Sequence, residues 1–164
     1  MIRHFINCII FFLPPTRLFN LKRKLLIFSG IEISRNACFC GGGWIFGRGR
    51  LLIGGNTWIS PGSVFYTHTD ANIIIGENCD IGPFVKFITG SHIIGGRDRR
   101  AGKGFASAIS IGDGTWIGAN SLILGGVSIG SGCVIAAGSV IISDVKDNTL
   151  VAGIPGVFKR NLDE

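Results

Sequence analysis

Between Ile111 and Lys146 an aliphatic residue recurs at every sixth position, as Ile111, Ile117, Ile123, Ile129, Ile135 and Ile141. Four places after each stands a smaller one: Thr115, Ser121, Val127, Cys133, Ser139 and Val145. A period of six does not hold one face of a 3.6-residue helix, whereas an even period returns a side chain to the same face of a strand. The unit is therefore a short strand followed by a turn, and three units close one triangular coil of a parallel β-helix. Each aliphatic residue points into the coil and stacks on its counterpart roughly 4.8 Å along the axis, with each burial contributing about 1.5 to 3 kcal/mol. The small residue sits where the wall turns, and a larger one there crowds the next coil. Gly112, Asp113, Gly114, Gly118 and Asn120 supply the turns between. A β-sandwich is the competing architecture, but its strands are not spaced so uniformly.

The period extends upstream with interruptions. Ile33, Phe39 and Ile45 keep it, with Ala37 in a small position, before Gly41, Gly42, Gly43, Gly47 and Gly49 break it. It resumes as Ile53, Ile59 and Phe65, shifts at an insertion over residues 67–71, and continues as Ile75, Ile81 and Phe87 in the register of Ile111. An all-β domain over residues 31–146 is expected, followed by a C-terminal tail at 147–164. Residues 93–110 have the length of one coil, but glycine and charge fill the aliphatic positions from Gly95 to Gly104. They are read as an extended loop thrown out of the wall, and long loops in compact domains are usually functional.

Residues 1–30 differ in character. Phe5 to Leu13 is apolar apart from Asn7, and Pro14 and Pro15 stop it short of the ~20 residues of a membrane span. No small-residue cleavage site follows, so it does not read as a signal peptide. Leu18, Leu21, Leu25 and Leu26 then recur at helical spacing among Arg17, Lys22, Arg23 and Lys24. Two readings stay open for this short helical segment: a cap over the end of the coil stack, or a peripheral contact with an anionic membrane surface.

The remaining composition narrows the class. The chain has 164 residues, 46% hydrophobic, with 26 glycines and five prolines, which fits one Gly-turned β domain and excludes disorder. Its net charge of +6 is spread through the chain, and no nucleic-acid-binding motif is present. Five cysteines, an odd number without C-x-x-C spacing, are read as reduced thiols of a cytoplasmic protein.

Among three histidines, His92 stands at the mouth of the excursion, in Thr89-Gly90-Ser91-His92. The motifs Ile-Gly-Asp-Gly-Thr-Trp-Ile-Gly-Ala-Asn at 111–120, Gly-Val-Ser-Ile-Gly at 126–130, Ile-Ala-Ala-Gly-Ser-Val at 135–140 and Val-Ala-Gly-Ile-Pro-Gly at 151–156 follow it. Together these resemble the hexapeptide-repeat acyltransferases, in the branch of maltose, galactoside and nodulation-factor acetyltransferases and small enzymes of surface-polysaccharide synthesis. The resemblance runs from about Ile75 to Arg160 and more loosely back to Ile31. It implies a left-handed parallel β-helix, a homotrimer with active sites between subunits, and acetyl-CoA as acyl donor without a metal.

Carried over residue by residue, the resemblance makes His92 the general base that takes a proton from an acceptor hydroxyl. Trp116 matches a tryptophan of the active-site wall, Ala119 and Ala137 match small residues beside the pantetheine arm, and Pro155 and Arg160 match the adenine and phosphate region. Ile142 and Ser143 stand where the family often has Thr-Lys, so a phosphate contact is lost there or passes to Lys146. In the acceptor site Gly62 and Ser63 stand near a family asparagine. His68 and Asp70 either replace it or form a turn, and Arg97, Arg99 and Arg100 either hold an anionic acceptor or form a solvated loop face. The implied activity is O-acetylation of a carbohydrate hydroxyl, with a place in surface-polysaccharide synthesis. The competing readings are an amino-sugar-nucleotide N-acetyltransferase, a serine O-acetyltransferase without its helical domain, and an inactive β-helical scaffold. A zinc carbonic anhydrase on this fold needs a closely spaced pair of histidines, which His4, His68 and His92 do not provide.

Overall fold

The computed structural model describes residues 2–162. The first coil is β1 (Glu32–Ile33), β2 (Cys38–Phe39) and β3 (Ile45–Phe46); the second is β4 (Leu51–Ile53), β5 (Trp58–Ile59) and β6 (Val64–Tyr66). The third is β7 (Ile73–Ile75), β8 (Asp80–Ile81) and β9 (Lys86–Ile88). A hairpin, β10 (Gly90–Ile94) and β11 (Ala101–Ala106), then leaves the stack. The fourth coil is β12 (Ile109–Ile111), β13 (Trp116–Ile117) and β14 (Leu122–Leu124), and the fifth is β15 (Ser128–Ile129), β16 (Val134–Ile135) and β17 (Val140–Ile141).

The strands stack into three parallel walls, which we call A, B and C for the first, second and third strand of each coil. On wall A the register pairs Ile33 with Ile53, Ile53 with Ile75, Ile75 with Ile111 and Ile111 with Ile129. These isoleucines are buried, so the six-residue pattern is the core itself. On wall C the rings of Phe65 and Phe87 stack at 4.9 Å and 3°.

The small positions do more than make room. At the corner from A to B, Thr57 Oγ1 donates to the Gly76 carbonyl at 2.7 Å, and Cys79 Sγ to Gly112 at 3.2 Å. Thr115 Oγ1 donates to Gly130 at 2.8 Å, and Cys133 Sγ to Lys146 at 3.0 Å. Each reaches the backbone of the next coil. Outside this column, Asn56 and Asn78 hold left-handed turns (φ 54° and 55°), and Asn56 Nδ2 donates to Asn78 Oδ1 at 3.2 Å.

The N-terminal end of the stack is closed. Helices α1 (Ile2–Phe12) and α2 (Phe19–Phe28) lie on the first coil, and Ile6, Ile10 and Leu26 join Ile31, Phe39 and Ile45 in the core. Asn7, the polar residue within the apolar run, pairs with the edge strand: its Nδ2 donates to the Ile45 carbonyl at 2.9 Å, and Ile45 N–H donates to its Oδ1 at 3.2 Å. A free strand edge is thereby satisfied. Lys22 is fully buried, and its Nζ donates to the carbonyls of Pro14, Pro15 and Cys40 at 2.7, 2.6 and 2.6 Å. No described helix is long and apolar enough to cross a membrane.

At the other end, the segment expected as a tail carries two strands, residues 163 and 164 lying outside the described residues. β18 (Thr149–Ala152) adds a rung to wall B, pairing Val151 with Ile135, and β19 (Val157–Asn161) folds back antiparallel along it. The excursion expected at 93–110 is present but takes the form of a paired hairpin beginning at Gly90, and the wall resumes at Ile109. Alternation of small and larger residues in Ala101-Gly102-Lys103-Gly104-Phe105 permits that strand, which the glycine content conceals.

Candidate functional site

His92 lies within the hairpin, opposite Gly104 on β11. Its ring edge is 3.8 Å from where a Cβ on Gly104 would stand, so the absence of a side chain there leaves the imidazole uncovered on that flank. The imidazole is exposed and makes no hydrogen bond among the described residues. The hairpin springs from the corner between walls C and A. One coil below, the same corner carries the connection between β6 and β7, with His68 and Asp70.

Those two residues form a local turn. His68 Nδ1 accepts the Asp70 N–H at 3.2 Å and stands 3.6 Å from Asp70 Oδ2, and His68 bridges to Ala71. Arg97 is exposed at the hairpin tip. Ile142 and Ser143 are exposed on this corner too, at the far end of the stack, beside Asp144, whose carboxylate accepts the Ser128 N–H at 2.7 Å. Ser143 borders a cavity of about 530 Å³ with Lys146 and Phe158 beneath the last coil.

A second group gathers on wall B and at its corner with wall C. Trp116 pairs with Asp80 on one side and Val134 on the other and is 56% exposed. Ala119 and Ala137 occupy successive turns of that corner, joined by a hydrogen bond from Gly138 N–H to the Ala119 carbonyl at 2.8 Å. Trp116, Ala119 and Ala137 line one groove of about 530 Å³ together with Pro83, Val134 and Leu150. The turn containing Pro155 continues the corner one step further, since Gly153 N–H donates to Ser139 Oγ at 3.1 Å and Gly156 N–H to the Val140 carbonyl at 2.8 Å. Arg160 pairs with Leu150, beside the groove.

The residues singled out in the sequence thus fall on two different edges of the prism. His92, His68, Asp70, Arg97, Ile142 and Ser143 lie along the C–A corner; Trp116, Ala119, Ala137, Pro155 and Arg160 lie along wall B and the B–C corner. Sequence reasoning missed Trp58 and Asp80. They continue the outward ladder of Trp116 and line a contiguous recess of about 360 Å³ with Ser60 and Pro83. The period contained the signal, because each stands immediately before a buried isoleucine, as Trp116 does. Among the described residues no group of three or more His, Cys, Asp or Glu side chains is placed to hold a metal ion.

With this geometry in hand, comparison places the chain among known proteins. The family model "Bacterial transferase hexapeptide (six repeats)" matches residues 108–143. A solved hexapeptide-repeat acetyltransferase of Vibrio cholerae O1 biovar eltor, complexed with acetyl coenzyme A, is 30% identical with a TM-score of 0.74, covering 99% of this chain and 88% of that one. The solved polySia-specific acetyltransferase NeuO is 32% identical with a TM-score of 0.69, over 80% of this chain and 57% of that one. The galactoside O-acetyltransferase of Escherichia coli K12 is 31% identical over 130 residues, 68% of this chain and 64% of that one. The first curated relatives are longer, and the match spans 55%, 45% and 58% of three of them. The protein is a left-handed parallel β-helix built of hexapeptide repeats. It belongs to the hexapeptide-repeat acetyltransferase family.

Proposed function

We propose that the protein is an acetyl-CoA-dependent O-acetyltransferase acting on a sugar hydroxyl. The observation that carries this reading is the single groove over Trp116, Ala119 and Ala137, small-walled at successive turns and continued by the turn at Pro155 and by Arg160. A slender pantetheine arm fits such a wall, and the relative solved with acetyl coenzyme A extends over nearly the whole chain. Arg160 then serves the phosphates. Ser143 lies off this edge in the same protomer, so a phosphate contact at Ile142 and Ser143 requires a neighbouring copy.

His92 acts as general base. Its neutral imidazole takes the acceptor hydroxyl proton as the oxygen attacks the thioester carbonyl. The tetrahedral oxyanion is held by backbone N–H donors. Collapse breaks the C–S bond, and the departing CoA thiolate recovers the proton from the imidazolium, leaving an acetyl ester and CoA thiol.

Because His92 and the groove occupy different edges of one protomer, the working site joins the hairpin of one copy to wall B of another, in a cyclic trimer. The acceptor is a carbohydrate of surface-polysaccharide synthesis, approached by His68, Asp70 and Arg97 from the C–A corner, in a cytoplasmic enzyme. The test is acetyl-CoA binding by calorimetry followed by thiol release with a panel of sugars. His92→Ala should bind acetyl-CoA as wild type does and lose roughly a hundred- to ten-thousandfold in turnover. Absence of acetyl-CoA binding in both proteins overturns the reading in favour of an inactive scaffold.

A further inference from the structure

The N-terminal cap carries apolar side chains that remain exposed among the described residues. Helix α1 buries Ile6, Asn7 and Ile10 and leaves Ile2, Phe5 and Phe12 exposed along another face, Phe5 at 65% and Phe12 at 84%. Helix α2 buries Lys22 and Leu26 and turns Leu21, Lys24 and Phe28 outward at the i, i+3, i+7 spacing of one helical face, with Phe28 70% exposed. Ile27 and Leu18 are exposed as well. Apolar residues gathered at one end of a protein in this way mark an interaction site.

The charge on the same element is of one sign. Residues 1–31 contain Arg3, Arg17, Lys22, Arg23 and Lys24, and the first acidic residue is Glu32. Arg3 is committed to the carbonyls of Gly47 and Gly49, and Lys22 to those of Pro14, Pro15 and Cys40. Arg17 and Lys24, in the same N-terminal segment, are exposed.

We propose that this cap docks the protein on an anionic bilayer surface, with Phe5, Phe12 and Phe28 entering the interfacial layer and Arg17 and Lys24 meeting headgroup phosphates. Such an element lies in the interface and does not span it. Across a two-fold axis a second copy is a poorer occupant, whereas the unlike faces that meet in the proposed cyclic trimer are told apart from a bilayer by the oligomeric-state measurement below. In a two-fold contact the patch meets itself, and a cap without a carboxylate offers Arg17 and Lys24 only like charges.

Docking also places the proposed chemistry. The hairpin with His92 leaves the third coil, about 10 Å along the axis from the first at the spacing of adjacent strands, and a helix adds about 10 Å. An acceptor sugar joined to a membrane lipid would then be presented within reach of the histidine. Only this use of the surface rests on the acetyltransferase reading, and the docking stands or falls without it.

The test is flotation of the full chain with phosphatidylcholine vesicles and with mixed phosphatidylglycerol–phosphatidylcholine vesicles, alongside light-scattering measurement of its oligomeric state. Wild type should float with the anionic vesicles and far less with the neutral ones. Phe12→Ser combined with Phe28→Ser should reduce partitioning roughly tenfold or more. Arg17→Ala combined with Lys24→Ala should reduce it roughly thirtyfold, with melting temperatures unchanged in both. If the serine pair misfolds, the alanine pair alone decides. No flotation of wild type with anionic vesicles overturns the proposal, as does flotation of both folded variants at the wild-type level. A serine pair that dissociates the oligomer without altering flotation assigns the face to a second copy and overturns it equally.

Discussion

Thr115 and Cys133 stand one coil apart, and the hydroxyl of the first accepts the backbone N–H of the second at 3.1 Å. The same hydroxyl donates to the Gly130 carbonyl at 2.8 Å, so one buried oxygen ties two groups of the following coil. Thr57 stands in the same relation to Cys79, whose N–H it accepts at 3.1 Å. Valine has the shape of threonine and neither hydrogen bond. Thr115→Val should therefore lower stability by about 2 to 3 kcal/mol, chiefly through the buried groups left unsatisfied, while Thr115→Ser should retain most of it. Urea denaturation of the three proteins checks this. A valine variant as stable as wild type would show that the column acts by packing alone.

Lys22 secures the cap by a comparable device. Its ammonium meets three backbone carbonyls inside a site walled by the Phe19 ring, whose centroid is 5.6 Å from Nζ. Burial lowers the pKa of Lys22 from its ordinary value, and the Cys40 thiol beside it opposes that fall. Methionine preserves the length and leaves the Pro15 and Cys40 carbonyls without this partner, while that of Pro14 keeps the Arg17 N–H at 3.3 Å. Lys22→Met should loosen the two helices by on the order of 3 kcal/mol while the central coils keep their stability. Hydrogen exchange would show it as faster exchange at Leu26, Ile27 and Ile31 than in wild type, with Ile117 and Ile123 unchanged.

Much of this architecture is legible in the chain because a period of six allows few packings. The stacked isoleucines at 33, 53, 75, 111 and 129 follow directly from the spacing. The hydrogen bonds of Thr57, Thr115 and the cysteines do not, since spacing reveals that a position is small without saying what its polar atom faces. Asn7 and Lys22 read as interruptions of apolar or amphipathic patterns. Their partners, Ile45 and Cys40, lie 38 and 18 residues away, a distance that no local window spans. The hairpin was hidden for a different reason: its strands pair only with each other, so they carry no aliphatic alternation. At the candidate site the sequence named candidates such as His92 and Trp116 but neither Trp58 and Asp80 nor the division between two edges, which only the order of the walls makes visible.

The cysteines should differ sharply in reactivity. Cys40 is buried, and desolvation pushes its thiol up to about 11, opposed by Lys22. Desolvation also raises Cys79. Cys8 and Cys38 are partly exposed. Because the thiolate is the reactive form, iodoacetamide at pH 8 should alkylate Cys38 and Cys8 in the native protein and spare Cys40, as peptide mass mapping would reveal. The same shift has a linkage consequence. A thiol whose folded pKa is raised contributes stability that is complete below its unfolded value, near 9, and is lost as pH climbs towards about 11. Cys40→Ala should flatten that part of the alkaline decline, and an unchanged profile between pH 9 and 11 would remove Cys40 from its cause.

The division of the site between two edges predicts how damaged protomers behave when mixed. His92→Ala removes the base and leaves the groove on wall B intact; Ala119→Trp fills the groove and leaves the hairpin intact. If each protomer completed its own site, neither variant could help the other, and a mixture would be as inactive as its components. If the hairpin of one copy serves the groove of its neighbour around a cyclic trimer, some sites in a mixed trimer join an intact histidine to an intact groove. In every mixed cyclic trimer, whichever variant is in the majority, about one site in three regains both halves. Co-expression of the two variants under different affinity tags, with turnover measured on doubly purified trimers, reads this fraction directly. Activity near that level would establish that two copies build each site, whereas complete inactivity in assembled mixed trimers would return His92 and the groove to separate roles.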